Sequence, residues 1–80
     1  MKEEKYSKIN RVHLAKGLMG LRQMHGYSLV DLAFYTGKDV AYLSRIENMK
    51  LSPKMETVYQ ILSFYEMTMK DFYDKLDDFM

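Results

Sequence analysis

Residues 28–48, SLVDLAFYTGKDVAYLSRIEN, constrain the fold more than any other part of the chain. Leu32 and Ala33 close one short helical run, Gly37 interrupts it, and Leu43 and Ile46 share one face of the next. A glycine takes the positive φ that a sharp turn between helices needs. Ala33 is small enough for the second helix to cross closely, and Leu32, Leu43 and Ile46 fill the wedge between the two. Such a pair turns its second helix outward, where it can enter a DNA major groove. Spacing alone predicts no more than a helical hairpin.

The flanking sequence predicts three further helices and no strands. Residues 1–7 read as a short charged arm, and residues 8–80 as one domain. The first helix runs from about Lys8 to His25, with Leu14, Leu18 and Leu21 as its buried stripe. Gly17 and Gly20 lie inside it, each costing about 1 kcal/mol against alanine; they mark close contacts or tolerated weakness. Ser28 is the expected N-cap of the second helix, with Asp31 at the capping-box position. Asp39 is expected to cap the third helix by accepting from the Ala41 or Tyr42 amide. Ser52-Pro53 should open the fourth, with Met55, Val58, Ile61, Leu62 and Tyr65 buried. Thr68 and Asp71 should cap a fifth, 69–80.

Eighty residues allow one core, and a domain this short buries only about 60% of its unfolded surface. The stripe of the fifth helix is therefore longer than one small core needs. Phe72, Leu76, Phe79 and Met80 either bury against a second subunit or fold back onto the first helix. No window approaches the roughly 20 apolar residues of a membrane span, and MKEEKYSKIN is too polar for a signal-peptide core. With no cysteine, a disulfide framework and thiolate metal sites are excluded. A cytoplasmic protein with no cofactor and no membrane partner is the expectation.

The net charge of +1 conceals an asymmetry. Residues 1–25 carry six Lys/Arg and two Asp/Glu, and residues 56–80 carry two and six. Phosphates would be drawn to the first two thirds of the chain and repelled by the tail. A solvated acidic helix face explains the tail equally well.

Leu21-Arg22, Gly26, Ser28-Leu29, Leu32-Ala33, Gly37, the run Tyr42-Leu43-Ser44-Arg45-Ile46-Glu47-Asn48, and Pro53 with Thr57 together resemble the Cro/repressor-type (Xre) helix-turn-helix family, over roughly residues 14–73. The resemblance implies an all-α, five-helix, lambda-repressor-like DNA-binding domain with its helix-turn-helix at 29–48. It further implies a homodimer on double-stranded DNA, acting as a repressor on a palindromic operator. Val40, Ala41, Ser44 and Arg45 are the expected base contacts. Arg45 is the strongest, since a guanidinium pairs bidentately with guanine, while Val40 and Ala41 suit a thymine methyl. Ser28, Lys38, Tyr42, Asn48, Lys50 and Lys54 are the expected backbone contacts. Arg22 and Glu47 should pair with each other and tie the first helix to the end of the third. Met49 stands where the family usually ends this helix with glycine, so that cap should be made differently.

An enzyme is not expected. His13 and His25 are too far apart for two ligands on one helical face, and there is no glycine-rich phosphate loop or nucleophile elbow. Asp74, Asp77 and Asp78 read as the wet side of a helix, and no metal site is expected. The rival reading is a protein-interaction module (an antirepressor, an adaptor or an antitoxin) in which Val40, Ala41 and Tyr42 grip a protein partner.

Overall fold

A computed structural model describes residues 11–79. The arm at 1–7 and the expected helix start at Lys8 lie outside these residues. Five helices follow in order: α1 Arg11–Met24, α2 Leu29–Thr36, α3 Val40–Glu47, α4 Met55–Phe64 and α5 Met69–Phe79. No strand occurs among the described residues.

Each helix buries one stripe. Leu14, Leu18 and Leu21 of α1 meet Leu32 and Ala33 of α2, Leu43 and Ile46 of α3, Val58, Ile61 and Leu62 of α4, and Phe72 and Leu76 of α5. α1 lies against α3 and α5, α2 against α3 and α4, and α4 against α5. α2 and α5 begin with the same device. Ser28 Oγ accepts from the Asp31 amide while Asp31 accepts from the Ser28 amide, both at 3.0 Å. Thr68 and Asp71 repeat this exchange at 3.1 and 3.2 Å. Hydrogen bonding from the Thr68 amide, and then from the Thr68 side chain, holds the Asp71 carboxyl below its ordinary value.

Four helix ends share a left-handed residue: Gly26, Gly37, Met49 and Glu66. At three of them the chain closes with paired bonds to the last turn, as in Tyr27 N to Arg22 O at 3.0 Å and Gly26 N to Gln23 O at 3.0 Å. Met49 closes α3 in the same way, its φ at 60°, with Met49 N to Ile46 O at 3.1 Å and Lys50 N to Arg45 O at 2.7 Å. The cap is therefore not made differently. Methionine accepts the glycine conformation, and the two carbonyls it satisfies offset the cost.

Three other local expectations change. Asp39 has the extended backbone of an N-cap, but its side chain bonds no amide. α4 begins at Met55 with Lys54 before it, not at Pro53, which is buried in the preceding loop. Met55 is exposed.

Gly17 is a close-contact position. A Cβ there would fall 2.6 Å from Phe72 Cζ and 2.9 Å from Leu76 Cδ2. α5 folds back onto α1 at this point, and Phe72 and Leu76 are 0% and 1% exposed. These two residues therefore belong to the core of a single chain and are not available to a second subunit. The Phe79 side chain and Met80, expected beside them, lie outside what is described.

Candidate nucleic-acid interface

α3 is anchored on one side and open on the other. Leu43, Ile46 and Glu47 are buried, whereas Val40, Ala41, Arg45 and Asn48 are exposed and Ser44 is half-buried among them. The split follows from helical periodicity. Positions 40, 44 and 48 form one outward row and 41 and 45 the next, opposite the 43/46/47 face.

The anchor is an ion pair. Arg22 Nε donates to Glu47 Oε2 at 2.8 Å and Nη2 to Oε1 at 2.9 Å, a two-pronged fork. Nη1 donates to the Tyr27 carbonyl at 2.8 Å. One side chain thus joins α1, the loop before α2 and the last turn of α3. The side chains are 14% and 5% exposed, so water competes little for the bond. The hydrogen bond that Arg22 donates to Glu47 raises the Arg22 pKa above its ordinary value.

A second tie holds α3 to α4. Tyr42 Oη donates to Thr57 Oγ1 at 3.3 Å. Asn48 is likewise engaged: its Nδ2 donates to the Ser44 carbonyl at 2.8 Å and to Ser44 Oγ at 3.2 Å. In this arrangement the Asn48 side chain is turned back onto the last turn of its own helix.

Lys38 is half-buried just before α3, Lys50 is exposed just after it, and Lys54 is exposed at the N-cap of α4. With Arg45, they make no ion pair among the described residues. Ser28 is exposed at the start of α2, where the first-turn amides of Leu29 and Val30 have no partner within the helix. Asp31 sits one turn on, as part of the capping box.

A second surface was not anticipated from the sequence. Val30, Phe34 and Tyr35 on α2 are 65%, 80% and 56% exposed. Tyr35 stacks on Phe64 at 5.5 Å and meets Tyr27 at 5.7 Å, and Phe34 meets Tyr35 edge-on at 5.4 Å. The available signal was angular: with Leu32 and Ala33 facing the core, a 3.6-residue period sends positions 30 and 34 outward. Behind this cluster the Tyr65 hydroxyl is buried without a hydrogen-bond partner among the described residues. Burial pushes its pKa up to about 12, Glu47 adds to the rise and Arg22 opposes it.

No described helix is long and apolar enough to cross a membrane. Comparison with curated proteins and with solved structures finds no match. A family model described as helix-turn-helix does match, over residues 18–72, more than half of the chain. Its span takes in α2, the Gly37 turn and α3, together with the helices that brace them. The chain thus belongs to the helix-turn-helix family of DNA-binding regulators, in its Cro/repressor (Xre) form.

Proposed function

We propose that this protein is a small cytoplasmic transcriptional repressor that binds a palindromic operator as a homodimer. The observation that carries this reading is the division of α3: one face locked by Arg22–Glu47 and the core, the other offering Val40, Ala41, Ser44 and Arg45. Two such helices would enter successive major grooves, about 34 Å apart on one side of the duplex. Arg45 would take guanine, and Val40 and Ala41 would take thymine methyls. Lys38, Lys50 and Lys54 would neutralise phosphates on either side, and Ser28 would present the α2 N-terminus to another.

The test is selection from a randomised duplex library at about 150 mM salt with excess competitor DNA. An inverted repeat is expected, and Arg45→Ala should relax one guanine in each half-site. If nothing is enriched and retention is only salt-sensitive background, sequence-specific binding is lost as an explanation.

The exposed Val30, Phe34 and Tyr35 favour a second reading, in which the chain acts through a protein partner seated on α2. Salt separates the two. DNA retention through lysines falls steeply and log-linearly with salt, while an apolar protein interface hardly changes.

A further inference from the structure

Ser44 stands in the middle of the outward row of α3, one turn after Val40 and one turn before Asn48. A serine hydroxyl is ordinarily ambiguous, since it both donates and accepts and its hydrogen rotates to suit. Here one of its two acceptor lone pairs is already taken. The Asn48 atom 2.8 Å from the Ser44 carbonyl faces a group that can only accept, so it must be the amide nitrogen. That same nitrogen lies 3.2 Å from Ser44 Oγ and donates to it. One Oγ lone pair is therefore occupied from below. The hydroxyl hydrogen takes up no partner among the described residues, and the amide hydrogen that Asn48 directs at Oγ repels it from that side.

We infer that Asn48 is a positioning residue that, by occupying one lone pair of Ser44 Oγ, biases this hydroxyl to donate toward DNA, so that Ser44 selects an acceptor atom at one step of the operator. This rests on the DNA-binding reading above and adds a direction to it. The acceptors on a major-groove edge are guanine N7 and O6, adenine N7 and thymine O4. The position of Ser44 between Val40, Ala41 and Arg45 favours a base edge over a phosphate oxygen, which offers the same acceptor chemistry. Asn48 itself then touches no DNA through its amide hydrogens, although its place at the end of the helix suggests that it should.

The experiment is a double-substitution cycle of Ser44→Ala and Asn48→Ala, read as base preference position by position on the site selected by the wild-type protein. Ser44→Ala should bind that site about 5- to 10-fold more weakly, the loss of one neutral hydrogen bond, and relax a single step in each half-site. Asn48→Ala should relax the same step and no other, with a smaller loss. The double variant should bind no worse than Ser44→Ala. A drop in melting temperature alone, which a purely structural cap would also give, does not move base preference. Independent, additive losses, or relaxation at a different step, would overturn the inference while leaving the DNA-binding reading intact. A uniform loss across all sequences, abolished by a neutral methylphosphonate at one position, would assign the acceptor to a phosphate and overturn base selection. If the wild-type protein enriches no sequence, both this inference and the reading it rests on fail together.

Discussion

At the scale of single residues, the most informative position is one that breaks its own preference. Met49 holds φ at 60°, a conformation that costs an L-residue about 1–2 kcal/mol relative to the right-handed region. It is 43% exposed, so its side chain returns only part of that cost through packing. Met49→Gly should relieve the strain while keeping both closing hydrogen bonds, at some expense in unfolded-chain entropy. The expected net gain is about 1 kcal/mol, which in a domain of this size raises Tm by about 4–8 °C. Thermal denaturation checks it, and an unchanged or lower Tm would mean that the methionine side chain contributes more packing than its exposure suggests. Sequence patterning found the place where α3 ends but not how it ends. Side-chain type reports average preference, and the preference was overridden here by two carbonyls that needed partners. Asp39 shows the reverse: its residue type and backbone suit an N-cap, yet no amide is bonded by its side chain.

Between elements, the outward angle of α3 depends on Arg22. Replacing Arg22 with alanine would strand the Glu47 carboxylate, 5% exposed, without its partner. Breaking a pair this buried typically costs about 3–5 kcal/mol, whereas replacing both members with apolar residues of similar volume is often close to neutral. Arg22→Ala should therefore lower Tm sharply and weaken DNA binding. The double variant Arg22→Met with Glu47→Leu should recover most of the stability without restoring the fixed angle, and so recover less of the affinity. Denaturation and DNA titration on the same samples separate the two effects. An Arg22→Ala protein that melts like wild type would show that the fork contributes nothing to stability. Such helix-to-helix relations were legible only in part. The stripes Leu14/Leu18/Leu21 and Val58/Ile61/Leu62 follow from periodicity, and the Arg22–Glu47 pair from family resemblance. The packing of α5 on α1 was not legible, because Gly17 reads identically as a weakness or as a contact until Phe72 is placed against it. For the same reason a stripe ending in Phe72 and Leu76 was open to two destinations, and the core of the single chain takes them both.

For the whole molecule, the question is how many copies meet the DNA, and its charge pattern makes that countable. The basic first part of the chain and the acidic last part leave Lys38, Lys50 and Lys54 as the cations beside α3. Each phosphate neutralised releases counterions and contributes about −0.9 to the slope of log affinity against log salt. Three lysines from one protomer give a slope of about −3, and six from a symmetric pair about −5. The homodimer reading therefore expects about −5 on the selected operator and about −3 on a single half-site. Lys50→Ala should reduce the first slope by about 2 and the second by about 1, since a two-fold axis removes the contact twice. The same change should weaken binding to all sequences alike, because a phosphate contact carries no base information. A slope near −3 on the full operator, unchanged as protein concentration rises, would count one protomer and remove the dimer. A slope well beyond −5 would bring further cations, such as Lys2 and Lys5 ahead of the described residues, into contact with the duplex.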